Sequence, residues 1–94
     1  MTQIEFASAL IRLNKNRIGI TEACVLFSIG EGATNYQISK ATSTDRSTTK
    51  ARVGVLKRKG LVRQVYDENG QSKYKPTPLG EKLVWQTLKQ KATT

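Results

Sequence analysis

Residues 45–59 carry the pattern in this chain that is best suited to chemistry. Projected as a helix at 100° per residue, Thr49, Val53 and Leu56 fall together and should face a core. The opposite side holds Ser47, Lys50, Ala51, Gly54 and Arg58. Arg46 and Lys57 line one edge of it, Thr48 and Val55 the other. An outward face of small residues bordered by cations suits a DNA major groove. Ser47, Ala51 and Gly54 let a backbone come close. Arg46 and Lys50 can reach guanine acceptors, Ser47 and Thr48 a base or a phosphate, and Ala51 a thymine methyl. Arg58 and Lys59 lie at the far end and suit phosphates. A merely solvated face would account for Lys57, Arg58 and Lys59, which complement the negative end of a helix dipole. It does not account for Gly54, which costs ~1 kcal/mol relative to alanine in an exposed helix interior. A close packing contact is the other reason for a glycine there.

The charge distribution points the same way. Sixteen Lys and Arg face seven Asp and Glu, a net charge of +9. Ten of the basic residues lie between Lys40 and Lys75, against Asp45, Asp67 and Glu68, so this stretch carries +7 of the total. A local excess of that size attracts polyanions, with nucleic acid first, an anionic membrane surface second, and simple solvation as the plain alternative.

The elements that must position these residues can be read from caps and periodicity. A first helix starts at Thr2, where Thr2 and Glu5 have capping-box spacing. Its apolar residues Ile4, Phe6, Ala7, Leu10, Ile11 and Leu13 cover about half the circumference, wider than one core stripe requires. Residues 14–19 read as a polar loop. A second helix, about Thr21 to Ser28, offers Ala23, Cys24, Leu26 and Phe27 to the core and ends at Gly30 and Gly32. Thr34 caps a short helix from Asn35 to Lys40, with Tyr36 and Ile38 inward. Ala41 to Thr44 form a turn, and Ser43 or Thr44 caps the helix from Asp45 to Lys59, where Asp45 complements the N-terminal dipole. Gly60 stops it.

A hairpin follows. Leu61 to Tyr66 and Ser72 to Pro76 have strand composition around an Asp67-Glu68-Asn69-Gly70 turn. Arg63, Lys73 and Lys75, together with Thr34, are the candidates for DNA-backbone or minor-groove contacts. Ordinary charged decoration of an edge hairpin is the plainer reading of the three cations. Tyr66 and Tyr74 read as hairpin packing. Thr77 caps the last helix, Pro78 opens it, and Leu79, Leu83, Val84, Trp85 and Leu88 make it apolar over a wide arc. Residues 91–94 are expected to fray.

The expected architecture is α+β and mostly helical. It is a winged helix-turn-helix with flanking N- and C-terminal helices, in one domain over residues 1–94. The helix-turn-helix spans about 34–59, the wing 61–76 and the last helix 78–91.

Other function classes find little support. The chain has no histidine, which removes a Ser-His-Asp or Cys-His arrangement. It has no Cys/His metal cluster and no phosphate-binding loop, so an enzyme is not expected, and no cofactor or metal is. The lone Cys24 allows no internal disulfide, fits a reducing interior and reads as packing. No apolar run approaches the ~20 residues of a membrane span, and residues 1–10 lack the pattern of a secretory signal. The expected location is the cytoplasm, beside the nucleoid.

From Thr21 to Gly80 the sequence resembles the MarR-type (multiple antibiotic resistance regulator) winged-helix family. The resemblance is carried by Ile38-Ser39, Asp45-Arg46-Ser47-Thr48, Val53 and Leu56-Lys57-Arg58-Lys59-Gly60-Leu61-Val62, aligned without a gap. Pro76-Thr77-Pro78-Leu79-Gly80 is similar to that family's step from wing to last helix. The resemblance implies a homodimer on a pseudo-palindromic operator in double-stranded DNA, usually as a repressor. The helix from Asp45 would enter the major groove and the wing the minor groove. It also implies a dimer built from the first and last helices, which places Phe6, Leu10, Leu13, Val84, Trp85 and Leu88 at the interface. The chain departs from the family in its shorter terminal helices. Gln71 and Ser72 stand near the place of the family's wing-tip arginine, and Arg52 stands where an apolar residue is usual. With shorter terminal helices, a small-molecule effector is not expected. Two other readings are a winged-helix adaptor that binds a polymerase or replication factor, and a non-specific architectural DNA binder.

Overall fold

The computed structural model describes residues 2–13 and 18–92. Among these residues there are five helices and one two-stranded antiparallel hairpin. In chain order they are α1 (Gln3–Leu13), α2 (Ile20–Ile29), α3 (Asn35–Thr42), α4 (Arg46–Arg58), β1 (Val62–Tyr66), β2 (Ser72–Pro76) and α5 (Pro78–Ala92). This is the winged helix-turn-helix expected from the sequence. α3 and α4 form the helix-turn-helix, and the hairpin forms the wing.

α2 is the centre of the molecule. It packs against α1, α3, α4 and β2, while α1 also meets α5. Because it has neighbours on several sides, α2 buries Ala23, Val25, Leu26 and Ile29 and leaves Cys24 and Phe27 half-buried. Of the four expected core positions, Ala23 and Leu26 are fully buried, while Val25 and Ile29 lie deeper than Cys24 and Phe27. Phe27 still contributes, since its ring lies 5.0 Å from that of Phe6, tilted by 42°. Phe6, Leu10, Ile38, Val53, Leu56, Leu61, Val62, Tyr74 and Leu83 complete one continuous apolar cluster.

The caps act much as the sequence suggests. The Glu5 N–H donates to the Thr2 hydroxyl and the Thr2 N–H to the Glu5 carboxylate, a reciprocal box that starts α1. Thr34 and Gln37 form a second box at α3. α3 runs two residues further than expected, to Thr42, so the turn shrinks to residues 43–45. Ser43 takes a left-handed conformation there, with φ 55°. Asp45, and neither Ser43 nor Thr44, caps α4: its side chain accepts from the Thr48 N–H at 2.7 Å. The lengthened α3 uses up the residues that would otherwise precede the cap.

Two residues come out on the other side of their element. Tyr36 is half exposed although Ile38 is fully buried. Two residues along a helix is a turn of about 200°, so the two side chains cannot share one face. Tyr66 is also exposed, at the turn end of the hairpin beside its tip, whereas Tyr74 is buried. Tyr74 has a further role the sequence did not suggest: its N–H and C=O both bond to Ala33, at 2.8 and 3.0 Å, which ties the segment before α3 to the wing. The loop expected at 14–19 falls mostly outside the described residues. Ile18 and Gly19 are non-helical, and Ile18 is buried. Of the end expected to fray, 91 and 92 are helical and 93–94 lie outside the described residues.

Candidate nucleic-acid interface

α4 presents its face through a set of fixed contacts. Thr49, Val53 and Leu56 are fully buried, as the wheel requires. Thr49 does more than fill space. Its hydroxyl donates to the Asp45 carbonyl at 2.9 Å, lies 2.8 Å from the Thr44 hydroxyl and accepts from Ser39 at 3.1 Å. Thr44 and Thr42 hydroxyl oxygens are 2.9 Å apart, and Thr42 donates to the Ile38 carbonyl. This chain of hydroxyls fastens α3 to α4 across the turn. Each member satisfies a polar atom that would otherwise be costly to bury. The sequence marks Thr49 as a core position, but it gives no sign of the network, because its four members come from both helices and the turn.

The opposite face of α4 is open. Arg46, Ser47, Lys50, Ala51 and Arg58 are exposed, and Thr48 and Gly54 are half-buried. A Cβ built on Gly54 would meet only an Arg58 guanidinium nitrogen, at 3.6 Å, an ordinary contact. Among the described residues, no close packing contact calls for this glycine. Asp45, fully exposed at the head of α4, has its carboxyl held below the usual range, chiefly by the hydrogen bond from the Thr48 N–H.

The wing is set against α4. Lys57 Nζ donates to Gln64 Oε1 at 3.3 Å. Arg63 pairs with Lys75 across the hairpin and Val65 with Lys73. Alternation along the strands puts Arg63, Lys73 and Lys75 on one exposed face, while Val62, Tyr74 and Pro76 turn inward on the other. Asp67 builds the tip: its side chain accepts from the N–H groups of Asn69 and Gln71, both at 2.9 Å, with Gly70 at φ 79°. Thr34 is half-buried, and its hydroxyl accepts from the Gln37 N–H, so the cap already engages it.

Two residues of this surface, Tyr36 and Lys40, are not among the sequence candidates for DNA contact. Tyr36, on the exposed side of α3, has Arg46 Cζ and Lys40 Nζ each 5.3 Å from its ring centre. Correct helical phasing from Ile38 was the available signal for Tyr36. The four-residue step to Lys40 was the signal for that pair.

The residues assigned to a dimer interface divide. Leu13, Trp85 and Leu88 are exposed and Val84 is half-buried. Phe6 and Leu10 have no exposed surface, because they pack inside the protomer against the α2 core. They have no surface to offer a partner and are core residues. Ile4 and Leu79, which were not in that set, are exposed large apolar residues of α1 and α5. Trp85, Val84 and Leu88 also line an open groove of about 540 Å³, with Gly30, Glu31, Pro76 and Glu81.

Cys24 is half-buried, and burial pushes its thiol up, away from the reactive thiolate. Among the described residues, no group of three or more His, Cys, Asp or Glu is placed to hold a metal ion. No described helix is long and apolar enough to cross a membrane.

No protein-family model and no curated protein matches the sequence. Solved structures do match in fold. RV1404 of Mycobacterium tuberculosis superposes with a TM-score of 0.82 at 16% identity, over 95% of this chain and 63% of that one. A mutant of Escherichia coli MarR in complex with operator DNA gives 0.72 at 23% identity, over 88% of this chain and 60% of that one. BpsR of Bordetella bronchiseptica, whose DNA binding is regulated by 6-hydroxynicotinic acid, gives 0.69 at 18% identity, over 88% and 63%. This chain therefore has the MarR-type winged-helix fold, and it spans less than two thirds of the length of these three chains. The expectation that no small-molecule effector acts here gains no support from the fold, since a protein of the same fold is regulated by one.

Proposed function

We propose that this chain is a transcriptional regulator that reads a specific site in double-stranded DNA as a homodimer, and that it acts as a repressor. The observation that carries the reading is the outward face of α4. It combines Ser47, Ala51 and Gly54 with flanking Arg46 and Lys50, and no close contact among the described residues accounts for Gly54. A helix with that face fits a major groove, with Arg46 and Lys50 aimed at guanine acceptors and Ala51 at a thymine methyl. Arg58, Arg63, Lys73 and Lys75 would then meet phosphates on either side. Leu13, Trp85 and Leu88, with Ile4 and Leu79, supply exposed apolar surface on α1 and α5 for a second copy.

The test is retention of fragmented source DNA by the purified protein against excess random duplex, at about 0.15–0.2 M salt, where nonspecific attraction is substantially screened. Recovery of one inverted-repeat motif is the expected result. Uniform retention would replace sequence reading by phosphate-only binding. No retention would remove DNA from the account and direct the search to protein partners.

A further inference from the structure

Tyr36 is an aromatic ring left half exposed on the shortest helix, beside the residue that begins α4. Arg46 Cζ lies 5.3 Å from its centre, within cation–π range, and Lys40 Nζ lies at the same distance. The Asn35 amide, one residue before, donates to the Arg46 backbone carbonyl at 3.5 Å. The first turn of α3 thus touches both the backbone and the guanidinium of Arg46. Arginine is a long side chain, and it loses considerable rotamer freedom when a partner fixes it. A guanidinium already resting against a ring has lost part of that freedom before DNA arrives, and its planar fork keeps its donor edges free for a guanine or a phosphate.

We propose that Tyr36 is a positioning residue of the DNA interface, whose ring pre-orients Arg46 at the head of the recognition helix. The proposal rests on the DNA-binding reading above and assigns to α3 a share in sequence discrimination. Lys40 sits against the same ring without displacing Arg46 from it.

The experiment compares wild type with Tyr36→Leu, Tyr36→Phe, Arg46→Ala and the Tyr36→Leu/Arg46→Ala double variant. Kd is measured by fluorescence anisotropy on a duplex that the wild type selects from a random library, and on the unselected pool. Thermal melts of each variant accompany the titrations. Tyr36→Leu should weaken the selected duplex by about 2- to 5-fold, the scale of an exposed cation–π contact, and the pool less. Tyr36→Phe, which keeps the ring, should retain the wild-type preference. In the Arg46→Ala background Tyr36→Leu should cost nothing further, because its effect passes through Arg46. A full additive loss in the double variant, or a Tyr36→Phe as weak as Tyr36→Leu, would overturn the positioning role, since the ring would then act independently or the hydroxyl would be the contact.

A readout without DNA keeps the two claims apart. The Arg46 Nε–H proton should carry a ring-current shift in wild type and Tyr36→Phe, and lose it in Tyr36→Leu. If that shift is present and the wild type selects no duplex, the DNA reading fails while the ring contact stands. If the shift is absent, the positioning proposal fails whatever the protein binds.

Discussion

Gly54 and Gly80 both sit in helices, and their surroundings are opposite. A Cβ on Gly80 would overlap the carbonyl oxygen of Leu61, an atom of the backbone that cannot swing aside. That carbonyl is itself held by the Thr77 N–H at 3.0 Å, while the Thr77 hydroxyl donates to Gly60 and accepts from the Gly80 N–H. Gly80 is required by the junction of the wing and α5. A Cβ on Gly54 would meet open space apart from one flexible arginine tip. No contact among the described residues requires that glycine, and the helix bears its penalty anyway. One glycine is explained by packing inside the molecule and the other is not, and under the proposed function that contrast separates a structural surface from a binding one.

Gly80→Ala should show the largest effect. The clash has no flexible side chain to relieve it, so the expected loss is about 3 kcal/mol or more. A melting temperature unchanged from wild type would mean that the Leu61–Gly80 approach is not what fixes this junction. Lys50→Ala lies on the other side of the comparison. It should leave the melting temperature alone and weaken the selected duplex by roughly tenfold or more, with a smaller loss on random DNA. Lys75→Ala, in contrast, should weaken both alike and lower the salt slope by about 1. Equal losses on both DNAs for Lys50→Ala would take it out of base reading.

Thr49→Val tests the ground between the two surfaces. It keeps the shape of the side chain and leaves Ser39 and Thr44 without their shared partner, so about 1–3 kcal/mol of stability should be lost. Gly54→Ala sharpens the contrast most directly. It should raise stability by ~1 kcal/mol, read from denaturant melts, and at the same time weaken the selected duplex. A stability gain with undiminished affinity would show that nothing comes close to this face.

Asp45→Asn should give the smallest change, visible only against pH. The native carboxyl titrates below its unfolded value, so its stabilisation is fully present above the ordinary carboxylate range. It drains away as pH falls through the lowered native value. Wild type should therefore lead Asp45→Asn in melting temperature at neutral pH, and the gap should close in acid. A gap that persists unchanged in acid would mean that the charge of Asp45 contributes nothing to the cap.

Much of this was legible in the sequence. The order of elements, the Thr2, Thr34 and Thr77 caps, the hairpin turn and the buried face of α4 all follow from local patterns. Capping, turn chemistry and helical phase are set by residues within four or five positions of one another. The misplacements have equally specific causes. An inward Tyr36 beside an inward Ile38 runs against the helical period. The family resemblance places Phe6 and Leu10 at a partner on a helix that is apolar over a wide arc, and only the packing of α2 against α1 shows which part of that arc is already covered.

The sequence by itself determined that a basic, small-residue face lies on one side of a helix and a core stripe on the other, because a helix repeats every 3.6 residues whatever surrounds it. The tertiary structure alone decided which glycine the fold requires, and which hydroxyls join into one network. It also decided which aromatic ring rests against Arg46. Each of those facts depends on atoms brought together from separate elements. Leu61 meets Gly80 and Ser39 meets Thr49 only after the chain has turned back on itself, and no local pattern records where that turn will bring them.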